Sequence, residues 1–299
     1  VPEMTKSTTL SRGKRLLALI PLLATALIGV GQSAAVSAPS RSDSNTEPVY
    51  FIHGFQKSGG TNCYGNWGNA DGNTIAAFKG SLGWKGSITT IGYYSGDTNC
   101  TRNIYPTGTI NTGIHTLAKA LANDIYNYHS KYGRSIDVVA HSMGGLIIRD
   151  ALASVQRKEA GFPPYLYVED VVTMSTPHQG SALGTFISST QATQLSTGSE
   201  YLSKLPHNPQ SAQGTDWTLM GSTGDYVVRP WSAEGMLGAG HLVRYQMGSV
   251  GHLNINALVS GSYVGTYWNW TGGGWARDFT PIAPPATVAR NALYYWSKW

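Results

Sequence analysis

The chain has 299 residues, of which 41% are hydrophobic and only 12% charged, with a formal net charge of +5. That length accommodates one large domain, and the charged share is about half the usual one. Beyond the first 38 residues no block of like charges remains, so the electrostatic footprint of a nucleic-acid binder is missing and nucleic acid is not an expected partner.

The amino terminus reads as a targeting segment. Lys6, Arg12, Lys14 and Arg15 form a basic region, and an apolar run follows from Leu16 to Val30. The small residues Ser33-Ala34-Ala35 and Val36-Ser37-Ala38 each fit a cleavage site, which predicts a signal peptide over residues 1–38 and a secreted protein. Fifteen apolar residues broken by Pro21 fall short of the roughly 20 a spanning helix needs. Without residues 1–38 the net charge drops from +5 to +2, so the basic balance is largely a property of that segment. Residues 39–48, Ser-rich and charged, read as a disordered linker, and residues 49–299 as a single catalytic domain. An exported chain meets oxidising conditions, which predicts a Cys63–Cys100 disulfide.

From Pro48 onward short apolar strands alternate with helical patterns, the signature of a mostly parallel sheet covered by helices on both faces. Val49-Tyr50-Phe51-Ile52 is a buried strand ending at His53-Gly54, followed by a Gly- and Asn-rich loop, an amphipathic stretch from Thr74 to Leu82 and a strand from Ser87 to Tyr93. Ile114, Leu117, Ala118, Leu121, Ile125 and Tyr128 recur at helical spacing between Gly113 and Tyr132, and Gly133 ends that helix. Next come a strand over Ile136 to Ala140, a helix over Met143 to Glu159, and strands over Val171 to Met174, Asp216 to Met220 and His241 to Met247. Pro284 to Trp299 closes the chain as a helix. Two stretches interrupt the rhythm. Residues 180–213 are rich in Ser, Thr and Gln and long enough to cap a site. Residues 261–283 form an aromatic-rich insertion with Tyr263, Tyr267, Trp268, Trp270 and Trp275; packing against the last helix and a sugar- or surface-binding patch both remain open for it.

Ala140-His141-Ser142-Met143-Gly144-Gly145 lies between a β-branched strand and a helix, the context of a nucleophile elbow in which a sharp turn lifts the serine hydroxyl above the sheet edge. A serine hydroxyl is a weak nucleophile until a histidine accepts its proton and a carboxylate orients that histidine. In an open parallel sheet the site lies beyond the carboxyl ends of the strands. Asp225 follows its strand in the loop Gly221-Ser222-Thr223-Gly224, whereas Glu169, Asp170 and Asp216 stand at strand entrances and Glu234 is the near competitor. Beyond Asp225 only His241 and His252 remain; His241 opens the final strand, while His252 follows it in a glycine-flanked loop. Ser142, Asp225 and His252 are therefore the candidate catalytic residues, with the backbone N–H groups of Phe55 and Met143 as candidate oxyanion donors.

The pieces Phe51-Ile52-His53-Gly54-Phe55, Ala140-His141-Ser142-Met143-Gly144-Gly145, Ser175-Thr176-Pro177-His178-Gln179-Gly180, the Asp225 loop and Val250-Gly251-His252 make the chain resemble the secreted bacterial lipases and esterases of the α/β-hydrolase fold, especially Bacillus-type and actinobacterial triacylglycerol lipases. The resemblance spans about residues 49–260, and alanine at position 140 is itself similar to the Bacillus-type enzymes. It implies an α/β-hydrolase, the triad and oxyanion pair just given, and a structural hydrogen bond for His178. The tail after Gly261 departs from the minimal enzymes, and no paired aspartates like those of a calcium site are evident, so neither cofactor nor metal is expected. The expected activity is extracellular hydrolysis of triacylglycerols at an oil–water interface through an acyl-enzyme, without a stable protein partner. A short-chain carboxylesterase, or a polyester or phospholipid hydrolase, would use the same residues. A non-catalytic glycan- or wall-binding protein of the same fold is the alternative of another class.

Overall fold

The structure is a computed structural model that describes residues 37–183, 186–246, 248–269, 274–275 and 279–295. The expected signal peptide up to residue 36, Met247, Trp270 and Trp296 lie outside the described residues. The elements in chain order are β1 (Val49–Ile52), a small ladder of β2 (Gly68–Asn69) and β3 (Gly72–Asn73), α1 (Thr74–Lys79), β4 (Ile88–Gly92), β5 (Arg102–Asn103), α2 (Ile114–Tyr128), β6 (Ile136–His141), α3 (Met143–Gln156) and β7 (Val168–Met174). The second half adds α4 (Thr190–Gln194), α5 (Glu200–Ser203), β8 (Asp216–Ser222), α6 (Pro230–Ala233), β9 (His241–Tyr245), β10 (Tyr263–Asn269), β11 (Gly274–Trp275), β12 (Thr280–Ile282) and α7 (Pro285–Tyr295).

The main sheet runs in the order β11-β10-β9-β8-β7-β6-β1-β4-β5, with β12 paired to β10. Pairing is parallel from β5 through β9. After β1 the chain first builds outward through β4 and β5, then returns to place β6 on the other flank of β1. The sheet order therefore reverses between β1 and β6, and their carboxyl ends open the crevice in which ligands of such sheets bind. This is the α/β-hydrolase arrangement.

Side chains alternate across each strand, so one sequence serves two cores. Tyr50, Ile52, Val138, Ala140, Val171 and Leu219 face a layer formed by α2 and α3. Val49, Phe51, Val139, Val172 and Met220 face a layer with Phe78 of α1 and Val288 and Leu293 of α7. All of these side chains are buried. Among the described residues no helix is long and apolar enough to cross a membrane.

Two expectations need correcting, and a third is extended. Residues 39–48 are not a disordered linker where described: the Ser42 N–H donates to Glu169, Arg41 reaches Asp170 at 3.5 Å, and the Asn45 carbonyl accepts from Lys85 and Gly86 at 2.8 and 3.0 Å. Carboxylates at the amino ends of β6, β7 and β8 give a polar, charged segment something to bind, which composition cannot reveal. The helix expected to run to Glu159 stops at Gln156, after which Lys158 adopts a φ of 56°. The aromatic stretch does not serve helix packing alone, because β10 adds antiparallel to β9, with Gly265 opposite Tyr245 and Tyr267 opposite Val243. Tyr263 nonetheless packs on the core that contains α7.

The segment expected to be a cap holds α4 and α5 and is tied inward. Gln191 donates to the carbonyls of Thr109 and Thr112 at 3.1 and 2.9 Å and accepts from the Tyr94 hydroxyl at 2.5 Å. Arg149 of α3, a buried cation that sequence reading passed over, donates to the carbonyls of His178, Leu205 and Pro206 at 3.0 to 3.1 Å. His178 itself is buried, its ring 3.1 Å from Thr173 Oγ1.

Candidate active site

Ser142 follows β6 and caps α3 with φ 52° and ψ −126°, a backbone conformation that residues other than glycine rarely adopt. The turn is held from below, since the Ser142 N–H donates to the Met174 carbonyl at 2.9 Å and Thr176 Oγ1 donates to the Ser142 carbonyl at the same distance. Gly144 has to be small. A β-carbon there would stand 2.5 Å from the Ile52 carbonyl oxygen and 2.6 Å from that of His53. Serine usually caps a helix by accepting an N–H bond with its own hydroxyl. Ser142 makes no such side-chain bond.

Its hydroxyl is directed instead to His252, with Oγ 3.1 Å from Nε2. The other ring nitrogen, Nδ1, donates to Asp225 Oδ2 at 2.9 Å. A carboxylate only accepts, so the neutral imidazole carries its proton on Nδ1 and leaves Nε2 free to accept the serine proton. Asp225 is fully buried, and its second oxygen takes the N–H groups of Val227 and Val228, each at 2.8 Å. Burial pushes the Asp225 carboxyl up. The His252 hydrogen bond and charge, with the Val228 N–H, outweigh it and hold the group below its ordinary value. The three residues singled out by chain order thus stand in one hydrogen-bonded chain. Glu234, the competitor, is held by Arg244 through hydrogen bonds of 3.0 and 3.1 Å, and burial raises its carboxyl to about 7. His241 faces Asp216 at the opposite edge.

Gly54 brings the end of β1 against this serine. No hydrogen bond occupies the N–H of Phe55 or of Met143 among the described residues, and Met143 is the first residue of α3, where the helix dipole favours negative charge. Behind this loop lies a polar layer that the sequence did not announce. The His53 ring stacks on Tyr93 at 4.3 Å and contacts Asp97 at 3.1 Å and the Gly54 carbonyl at 2.8 Å. The Tyr93 hydroxyl donates to the His53 and Gly54 carbonyls at 2.7 and 2.8 Å. Asp97 also takes the N–H groups of Thr61, Tyr93 and Tyr94. Burial pushes the Asp97 carboxyl up, but the His53 bond and these amides hold it low. Cys63 and Cys100 are joined, 37 positions apart in the chain, beside this loop. His53, Cys63 and Asp97 are close enough to share an ion, but a disulfide sulfur offers no thiolate, so the set does not fit a metal centre.

Beside the crevice stand exposed apolar side chains: Tyr226 and Trp231, which follow β8, and Leu253, which follows β9, line cavities there and are 55 to 89% exposed. Two open cavities of about 520 and 410 Å³ meet at Tyr226 and Val227, the first lined by His252 and Leu253 and the second by Ser181 and Trp231. A cavity of about 620 Å³, lined by His115, Asp150, Glu159 and Tyr201, shares no lining residue with them.

Fold and site together define a class, a serine hydrolase of the α/β-hydrolase fold. A family profile described as "Putative serine esterase (DUF676)" matches residues 102–213, less than half of the chain, including the elbow but neither Asp225 nor His252. No curated protein matches the chain. Solved structures that resemble it include a Bacillus licheniformis lipase in mature form (17% identity, TM-score 0.38, over 62% of this chain and 69% of that one). Phospholipase PlaB of Legionella pneumophila is similar at 17% identity and TM-score 0.43, over 63% of this chain and 44% of that one. Aspergillus fumigatus lipase B is similar at 19% identity and TM-score 0.41, over 65% and 42%. The match thus spans less than half the length of the last two.

Proposed function

We propose that this chain is an exported hydrolase of carboxylic esters, with lipid esters as substrates and Ser142, His252 and Asp225 as its catalytic triad. The observation that carries the reading is the His252 ring, bonded at one nitrogen to Asp225 at 2.9 Å and at the other to Ser142 at 3.1 Å. His252 takes the serine proton as Oγ attacks the ester carbonyl. The proton then passes to the departing alcohol, and water, activated by the same imidazole, releases the acid. Asp225 holds the ring and balances the imidazolium. The amides of Phe55 and Met143 receive the oxyanion. No metal or cofactor is required by these steps.

Lipid esters are favoured over small soluble ones by the exposed apolar side chains around the crevice, which suit acyl chains and an oil–water interface. Export is supported by the basic and apolar amino-terminal pattern and by the disulfide. Hydrolysis of a p-nitrophenyl ester with a burst of p-nitrophenol, abolished in Ser142→Ala, tests the chemistry. Tributyrin against triolein emulsions tests the substrate class, and the amino-terminal residue of protein recovered from the medium tests export. Hydrolysis surviving in Ser142→Ala would remove the assignment.

A further inference from the structure

We infer that His141 is a positioning residue: its Nε2–H, bound to the main-chain carbonyl of His252, fixes the loop that carries the base so that one imidazole reaches both Ser142 and Asp225. The inference rests on the triad reading above and deepens it.

His252 sits in no helix or strand. Its loop begins at Gly248, with φ 147°, and is partly stitched to itself, since Asn254 accepts from the Gly251 N–H and donates to the Ser249 carbonyl, both at 2.8 Å. Four residues past the base, Asn256 accepts from Thr74 Oγ1 and donates to the Asn66 carbonyl. The outside tether at Val250, a 2.6 Å bond from Ser222 Oγ, secures the loop two residues before the base. The tether on the main chain of His252 itself comes from His141 at 2.9 Å. His141 is the neighbour of Ser142 and the last residue of β6. Base and nucleophile, 110 positions apart in the chain, are thereby referred to one strand end rather than to two independent loops.

The packing agrees. The two rings lie 5.0 Å apart, tilted by 46°, and His141 is 7% exposed. Its Nδ1 is buried without a hydrogen-bond partner among the described residues, which is unfavourable. A leucine would bury comparable surface without that cost. What leucine lacks is the donor. The titratable groups that act on His141 are His252, Asp225 and His53. Burial first, and His252 second, push its imidazole down to about 3. It therefore stays neutral, keeps its lone N–H on the His252 carbonyl, and places no second cation beside the imidazolium that forms on His252 during turnover.

The test compares His141→Gln, whose amide nitrogen spans a similar reach, with His141→Leu and His141→Asn, which lose the donor or fall short. Each is assayed on p-nitrophenyl butyrate beside the wild type and Ser142→Ala. The Leu and Asn variants are expected to lose about 10- to 100-fold in kcat with KM held within about 2-fold, while Gln stays within about 5-fold of wild type. Thermal melts identify any variant that fails to fold, and Asn stands in for Leu in that case. Wild-type kcat in folded Leu or Asn, with Ser142→Ala inactive, overturns this inference alone. Equal losses in Gln, Leu and Asn at unchanged melting temperature overturn it as well, since the donor would then be irrelevant. Activity in Ser142→Ala overturns the triad reading beneath it.

Discussion

Gly54 and Ser142 are in contact so close that a β-carbon on the glycine would stand 2.6 Å from Ser142 Cβ and 3.2 Å from its Oγ. Two strands that are neighbours only in space, β1 and β6, meet here, and the space a side chain would need at Gly54 is taken by the serine. Gly54→Ala is accordingly expected to displace the Phe55 amide, lowering kcat/KM by about 10²-fold or more, as when an oxyanion donor is lost. The assay is steady-state hydrolysis of a p-nitrophenyl ester on protein whose melting temperature remains near wild type. A fully active Gly54→Ala would show that the loop yields without consequence.

Gly144→Ala is the contrasting case. Its methyl group would press on two backbone carbonyls, those of Ile52 and His53, and backbone cannot rotate away. A loss of about 3 kcal/mol or more in folding stability is expected, measured by urea denaturation. Here the protein, not merely its activity, is at risk.

Asp225→Asn replaces an acceptor by an amide and turns the imidazole proton to the wrong nitrogen, so kcat should fall by about 10⁴-fold with little change in KM. The same carboxyl links the fold to pH. Its folded value is depressed, so its contribution to stability is complete above the ordinary carboxylate range and disappears as pH falls through the folded value. The wild-type melting temperature should therefore drop more steeply than that of Asp225→Asn on going from pH 5 to about pH 3.

At the other edge of the sheet the sign is opposite. Asp137 is 1% exposed, and burial first, then the carboxylates Asp170, Glu169 and Glu47, push it well above its ordinary value. The folded chain holds a proton that the unfolded chain has released, so stability declines as pH rises from about 4 upward through the folded value. Asp137→Asn keeps an oxygen for the Asp170 N–H, 3.3 Å away, and sheds the charge. It should melt higher than wild type at pH 7 to 8, with the difference closing toward pH 4. Equal melting temperatures at pH 8 would count against a burial-raised carboxyl here.

The Cys63–Cys100 bridge closes a loop of nearly forty residues, worth about 3 to 4 kcal/mol in the chain-entropy account. Cys63→Ser with Cys100→Ser is expected to lower the melting temperature by on the order of 10 °C. Because Asp97 lies inside that loop and holds His53, kcat should fall at temperatures where the variant is still folded. Unchanged melting would contradict the entropic account.

Much of this molecule is written in local pattern. Val49 to Ile52 and Ile136 to Ala140 read as strands from their apolar runs, Ile114 to Tyr128 as a helix from its spacing, and Ser142 as an elbow from the small residues around it. Chain order and the edge rule for parallel sheets were enough to select Asp225 and His252, because strand direction alone decides which loops share an edge. Tertiary structure decided the rest. The His141 bond to His252, the Tyr93–His53–Asp97 layer under Gly54, the hold of Arg149 on three carbonyls and the attachment of Arg41 and Ser42 to buried carboxylates all join residues distant in the chain. The aromatic stretch became an antiparallel extension of the sheet because β9 offered an edge to pair, which its own composition does not encode. Side-chain period and turn chemistry act over a few residues and survive in the sequence. Desolvation and hydrogen-bond partnership are set by whichever neighbours the completed fold brings in, and exist only there.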